Sequence, residues 1–226
     1  MRTILTALTL SLVAPAALAA PGDAAPAAKT ASDDTTIVVL QPSGALPPML
    51  TPIVAETTPA RCRPMIKRTQ VPSLTQQLPA RIALASCVAD AAMQPLQLID
   101  GQESVLAIEQ ATAPAFALLD NVIDVGDASV KIVALRNRAD LYGQMSAKMM
   151  MTVPPLMTNT PEAAALRDTR KQIVEGMVEP WKEMARSNHQ AIVDLGRHHP
   201  ELVKNPVAQT AIRDSERQLA IPVATR

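Results

Sequence analysis

The chain has 226 residues, its 21 basic residues balance 21 acidic ones, and aromatic side chains make up only 1% of it. Balanced charge argues against nucleic acid as a partner, because phosphate binding depends on concentrated positive charge. The aromatic residues are Phe116, Tyr142 and Trp181, too few for a surface that stacks successive bases or sugar rings. We therefore expect neither of these ligand classes.

The first 19 residues have the three parts of a secretory signal peptide. Arg2 supplies the positive start, residues 4–18 are largely apolar, and the small residues Ala17 and Ala19 precede the expected cleavage point. The apolar stretch is shorter than the ~20 residues that span a bilayer. We expect cleavage after Ala19 and a periplasmic or secreted product without a transmembrane segment. An uncleaved membrane anchor is the alternative.

Residues 20–72 are predicted to form a flexible, Pro/Ala-rich and largely disordered tether, with order expected only near Cys62. Ten of the chain's 20 prolines lie between residues 20 and 79, and proline interrupts helices because it lacks the amide proton and has a fixed φ. A small basic cluster in this segment suggests a contact with anionic lipid or with an acidic partner. The alternative is that it belongs to a solvated linker. Its members are Arg61, Arg63, Lys67 and Arg68.

The chain has two cysteines, Cys62 and Cys87. An even pair in an exported protein predicts a disulfide, and the two are too far apart in sequence for a C-x-x-C redox motif. The bridge would tie the end of the tether to the first long helix. Two free thiols are the alternative.

From residue 73 onward, apolar residues recur at spacings of three and four, which predicts an all-α bundle of four or five helices over residues 73–219. Residues 220–226 are expected to be a flexible tail. Helix starts are indicated by capping residues at Ser73, Asp100, Thr160 and Asn205, with Ser73 and Gln76 resembling a capping box. Helix ends are indicated at Pro95, Pro154, Gly196 and Pro200.

Two of the predicted helices have the clearest apolar faces, which we expect to be buried. On the helix that ends before Pro154, this face consists of Ala128, Ile132, Leu135, Ala139, Tyr142 and Met149, with Ser146 at its polar position. On the long helix after Thr160, it consists of Leu166, Ile173, Met177, Trp181, Met184, Ile192 and Leu195. Pro114 is expected to kink or divide its helix, and Pro180 is expected to bend the long helix near its middle.

A methionine cluster is the first candidate for chemistry. Its members are Met145, Met149 and Met150, followed by Met151 and Met157. Thioethers are soft ligands for Cu(I), and Met145 and Met149, four residues apart, share one helical face. Core packing and a partner-binding surface are the alternatives, because methionine fills irregular cores and adaptable grooves.

Histidines and glutamates supply the other candidates. His189, His198 and His199 match no metal-binding or catalytic motif, so we expect structural roles, with a possible pairing of Asp194 and His198. A row of acidic residues also recurs every four residues. It predicts a functional site, for cation binding or for acid–base chemistry. The alternative is a solvated helix face whose acids pair with Lys182 and its basic neighbours. That row is Glu175, Glu179 and Glu183.

No nucleophile motif and no phosphate-binding glycine loop occurs in the sequence. The segment Leu74-Thr75-Gln76-Gln77 resembles the L-T-x-x-Q motif of small periplasmic helical chaperones of the Spy and CpxP type, with its glutamine one position early. We expect a non-enzymatic module, without a cofactor, that contacts another protein or the cell envelope. The alternatives are a periplasmic copper- or silver-handling protein that uses the methionine cluster, and an enzyme whose site is assembled from distant residues.

Overall fold

The computed structural model describes residues 50–98, 101–155 and 160–221. All regular secondary structure within these ranges is helical, which confirms the predicted all-α class. The predicted signal peptide, residues 20–49 of the predicted tether and residues 222–226 of the predicted tail lie outside the described residues, as do Asp100 and Met157.

Six α-helices are described, five of which are long and form the bundle. They are α1 Arg63–Ile66, α2 Leu74–Met93, α3 Gln102–Val125, α4 Ala128–Met150, α5 Pro161–His198 and α6 Pro206–Ala220. Short 3-10 helices flank α1 at Ala60–Cys62 and Lys67–Thr69, and another, Pro200–Lys204, precedes α6.

Helix α4 is the centre of the bundle, because α2, α3, α5 and α6 all pack against it. Its apolar residues therefore serve two clusters. Ile132 and Leu135 pack with residues of α5 and α6, whereas Leu141, Met145 and Met149 belong to the larger cluster formed with α2, α3 and α5. Fully burying one such side chain contributes roughly 1.5–3 kcal/mol, so α4 holds the other long helices together.

Capping side chains begin several of the helices. The hydroxyl of Thr160 accepts a hydrogen bond from the Ala163 amide at 3.3 Å, and Asn205 caps α6 in the same way, as the sequence predicts. Ser73 stands at the expected position before α2, but its hydroxyl pairs with that of Thr75 at 2.7 Å and makes no capping hydrogen bond. The capping-box prediction is therefore wrong in its hydrogen bonding, although the helix begins where it was expected.

Two loop residues set the starts of α3 and α4. Gly101 precedes α3 with φ of 80°, a left-handed conformation that favours glycine. Asp127 caps α4 by accepting a hydrogen bond from the Val130 amide at 2.9 Å. This bond and a second one from the Ser129 hydroxyl lower the pKa of Asp127, because both stabilise the carboxylate.

Residues 50–72, which the sequence analysis places in the flexible tether, contain short helices that lie on the bundle. The disulfide between Cys62 and Cys87 joins them to α2, with a Cα–Cα distance of 5.9 Å. Nearby, Ile66 is buried, and the amide of Thr51 donates to the side chain of Asn121 in α3 at 3.0 Å. Ordered chain thus begins before the predicted bundle boundary at residue 73.

Three helix breakers in the sequence do not end their helices. Helices α3 and α5 continue through Pro114 and Pro180 respectively, so neither proline divides its helix. Gly196 lies within α5, which ends two residues later at His198. A Cβ atom at Gly196 would lie 2.7 Å from the Ile212 side chain, so this glycine allows close contact with α6.

The predicted buried face of α5 is wrong at three of its positions. Leu166 and Ile173 are 74% and 47% exposed, and Met184 is 41% exposed. Val174 and Val178 are buried in their place. One residue corresponds to about 100° of helix rotation, so the core uses the adjacent stripe. Leu166, Ile173 and Met184 therefore form an uncovered stripe along α5, whereas Trp181 and Ile192 of the predicted face are buried as expected.

Candidate functional site

A groove with a volume of about 480 Å³ lies between α3 and α5, with α4 as its floor. All three aromatic residues of the chain line it, and we call it the aromatic groove. Its residues are Glu109, Ala113, Phe116, Ala117 and Asp120 of α3, Tyr142 and Met145 of α4, and Pro180, Trp181 and Met184 of α5. Convergence of such rare side chains on one concavity makes it the best candidate site.

The floor of the groove is built from side chains that the core holds in place. The rings of Phe116 and Tyr142 pack at a centroid distance of 4.6 Å, tilted by 37°, which is a favourable aromatic geometry. Met145 is 1% exposed, and its sulfur accepts a hydrogen bond from the Thr112 hydroxyl at 3.7 Å. An occupant would therefore meet a preformed apolar surface.

Trp181 connects the two walls of the groove. Its indole nitrogen donates a hydrogen bond to the Glu109 carboxylate at 3.0 Å, and only 4% of the residue is exposed. Helices α3 and α5 make few other direct contacts, since α3 packs mainly on α2 and α4, whereas α5 packs mainly on α4 and α6. The Trp181–Glu109 bond therefore holds the walls at a fixed separation at this level.

Small side chains on the α3 wall leave room for an occupant. Ala113 and Ala117, one turn apart, are both exposed and line the groove. Leu106, which is 49% exposed, lies on the same face of α3. On the opposite wall, Ile173 and Met184 belong to the uncovered stripe of α5. The apolar surface thus extends along both helices, as binding surfaces often do.

The methionine cluster divides between different environments. Met145 and Met149 are core side chains, Met150 is half-buried, and Met151 is 77% exposed. Met145 is the one described member that reaches the aromatic groove. Packing and groove lining thus account for Met145 and Met149, while copper binding by the cluster stays a prediction.

The histidines lie in separate surroundings. No group of three or more histidine, cysteine, aspartate or glutamate side chains within the described ranges is arranged to hold a metal ion. The expected pairing of the Asp194 and His198 side chains does not form, because His198 contacts the backbone carbonyl of Asp194 and the Asp194 carboxylate pairs with Arg197. The three ring contacts are His189 with the Ser215 hydroxyl at 3.0 Å, His198 with the Asp194 carbonyl at 2.7 Å, and His199 with the Glu201 carboxylate at 2.8 Å.

The glutamate row lines a larger cavity, of about 720 Å³, between α4, α5 and α6. Glu179 pairs with Lys182 at 3.3 Å, and Glu175 lies 3.8 Å from Lys171, so this surface carries solvated ion pairs that contribute about 1 kcal/mol or less each. Glu183 lies in the same cavity and completes the row. We favour the aromatic groove, although it is smaller, because all three aromatic side chains of the chain line it and such side chains are enriched at binding surfaces.

Two members of the basic cluster make hydrogen bonds that hold the N-terminal segment, residues 50–72, in place, one to α2 and one within the segment. Arg61 donates to the Gln94 side chain at 2.6 Å, and Arg63 donates to the Thr58 carbonyl at 3.2 Å. Lys67 and Arg68 are exposed. If the cluster contacts anionic lipid or an acidic partner, Lys67 and Arg68 are therefore the residues available for that contact.

His189 lies in a small polar cavity between α5, α4 and α6. Burial lowers its pKa, Asp140 partly opposes this by attraction to the imidazolium, and Arg136 lowers the pKa further. The α6 residues that line the same cavity include Asp214, Ser215 and Arg217. Because Ser215 is 1% exposed, its hydroxyl is not accessible to a substrate, and the cluster is best understood as the contact between α5 and α6.

The lowered pKa of His189 predicts a loss of stability in mild acid. The folded state favours the neutral ring, so its contribution is complete above the unfolded pKa of about 6.5 and declines as the pH falls through the lower folded pKa. Urea unfolding at neutral and mildly acidic pH should show this decline. His189→Gln should make this decline shallower. An equal pH dependence in wild type and His189→Gln would contradict this assignment.

Comparison with known proteins provides no family for the chain. No protein-family model, no curated protein and no solved structure matches it. The resemblance to the Spy and CpxP chaperones thus rests on the segment at Leu74, which begins α2 and is half exposed. Functional inference therefore depends on the geometry of the aromatic groove.

Proposed function

We propose that the protein is a non-enzymatic interaction module that holds an apolar segment of another protein in the aromatic groove. The observation that carries this proposal is the convergence of Phe116, Tyr142 and Trp181 between two helices that hardly touch each other. Aromatic side chains and methionine are enriched at interface hot spots and adaptable grooves. The exposed Met184 and the small α3 wall fit this function.

The proposal places this activity outside the cytoplasm, in the periplasm or the extracellular space. The signal-peptide pattern over residues 1–19 supports export. The Cys62–Cys87 bridge supports an oxidising compartment. Within the described ranges, no helix is both long and apolar enough to cross a membrane.

Obstructing the groove should weaken the binding of an apolar probe. We expect the neutral dye N-phenyl-1-naphthylamine to fluoresce on binding to the wild-type protein. Ala117→Arg places a long charged side chain on the α3 wall, so the dye affinity should fall at least about tenfold, a loss of about 1.4 kcal/mol. Dye fluorescence titrations with both proteins provide the measurement.

The matched control is Ala147→Arg, which makes the same change at an exposed position of α4 away from the groove. It should bind the dye as the wild type does. Circular dichroism would establish that both variants are folded. Absence of dye binding by the wild type, or an equal loss in the two variants, would refute the assignment of this groove.

A further inference from the structure

We infer that the groove binds a cationic amphipathic helix of a partner protein; this inference rests on the proposed function and specifies its ligand. The acidic α3 wall, the apolar floor and the helical construction of both walls lie together in one concavity. Each of these features restricts the occupant in a different way.

The charge of the α3 wall selects a cation. Helix α3 contains no lysine or arginine, and its four acidic residues are Glu103, Glu109, Asp120 and Asp124. Glu109 and Asp120 line the groove, and Asp124 lies one turn beyond Asp120 on the same face. Arg138 pairs with Asp120 at 2.8 Å, which leaves Glu109 in the groove and Asp124 beside it as acids with no ion pair to a described residue. Complementary charge favours a basic partner, and the same field repels anionic lipid headgroups.

The walls of the groove select a helix over an extended peptide. Both α3 and α5 satisfy their backbone amides and carbonyls internally, so they offer no strand edge for pairing. An occupant of an apolar groove must then satisfy its own backbone, which a helix does. Along α3 the lining runs from Glu109 to Asp120, a length of about 17 Å at 1.5 Å per residue. This corresponds to about three turns of a bound helix.

The test uses Trp181, the single tryptophan of the chain, as the reporter. Three synthetic peptides of about 15 residues, long enough to form helices, would be titrated against the full protein. The first combines a leucine face with a lysine face, the second replaces lysine with glutamate, and the third scrambles the first to destroy its apolar face. We expect the Leu/Lys peptide to change Trp181 emission and to bind at least about tenfold more tightly than the others.

Added salt and charge-removing variants test whether the acidic α3 wall causes the tighter binding of the Leu/Lys peptide. Added salt should weaken Leu/Lys binding, because the rim charges are solvated. The double variant Glu109→Gln/Asp124→Asn retains the acceptor for Trp181 and should lose most of the preference for lysine over glutamate. The control Glu216→Gln makes the same type of change at an exposed position of α6, a helix that does not line the groove, and should retain the preference for lysine. Ala117→Arg should abolish Leu/Lys binding.

The outcomes separate this inference from the proposed function. If the Leu/Glu peptide binds as tightly as the Leu/Lys peptide, the cationic partner is refuted while the groove remains a binding site. If the scrambled peptide binds as tightly, the helical ligand is refuted. If neither the peptides nor the neutral dye binds, both proposals fail.

Discussion

Replacing Trp181 with alanine is expected to lower the free energy of unfolding by about 3–5 kcal/mol, the usual cost of truncating a buried aromatic residue. The indole is almost fully buried and bridges α3 and α5 through Glu109. Its removal leaves a cavity beside Val178 and removes this link between the walls. Urea unfolding followed by far-ultraviolet circular dichroism, which needs no tryptophan signal, provides the measurement.

Leu166→Ala is the matched control for this prediction, because the sequence pattern places Leu166 and Trp181 on the same buried face. In the structure Leu166 is 74% exposed, so its truncation should change the unfolding free energy by only about 0.5 kcal/mol. Equal losses in the two variants would mean that α5 is rotated from the orientation described. They would also place the uncovered stripe in the core.

The double variant Cys62→Ala/Cys87→Ala is expected to lose about 3–4 kcal/mol of stability, because the bridge restricts the unfolded chain. The two cysteines are 25 residues apart in sequence, and Cys62 is fully buried at the junction of the N-terminal segment and α2. Removing both sulfur atoms avoids a free thiol. Denaturant unfolding of the oxidised wild type and the variant would measure the loss.

Arg61→Ala provides the comparison for the disulfide, since it breaks a second link between the same segments. Its hydrogen bond to Gln94 is exposed, so the loss should be about 1 kcal/mol or less. Hydrogen exchange should show the largest loss of protection in residues 50–72 when the disulfide is removed. Unchanged stability and protection in the double cysteine variant would contradict the anchoring role of the bridge.

The helices and several of their ends could be predicted from the sequence because local chemistry determines them. Thr160 and Asn205 cap helices through side-chain oxygens that need only the next few amides. On α4, Ile132, Leu135, Ala139 and Met149 are also buried as predicted, while Tyr142 of the same face is half-buried. The ordered segment before Ser73 is different, because it depends on a disulfide and on contact with Asn121 far along the chain.

The register of α5 could not be predicted because the helix has two neighbouring apolar stripes. Ile173 and Val174 are adjacent and both apolar, yet only Val174 enters the core. Periodicity cannot distinguish a stripe that packs in the core from one that binds a partner. The apolar stripe that was wrongly assigned to the core is the one that includes Met184 of the aromatic groove.

The candidate site could not be predicted from the sequence, because its residues come from three different helices. Low aromatic content argues against stacking ligands, but it conceals that Phe116, Tyr142 and Trp181 lie together in the fold. Met145 was singled out for copper binding, and its position in the groove floor depends on packing of α3 and α5 against α4. Only tertiary structure brings these side chains together.

The most direct test of the account is a methionine-methyl NMR titration of the intact protein with N-phenyl-1-naphthylamine. Met145 and Met184 line the aromatic groove, whereas Met65 lines a separate cavity beside α2 and Met93 is buried at the end of α2. We predict saturable shifts of the Met145 and Met184 methyl signals, with Met65 and Met93 unchanged. Saturable shifts at Met65 or Met93 without any change at the groove pair would contradict the account.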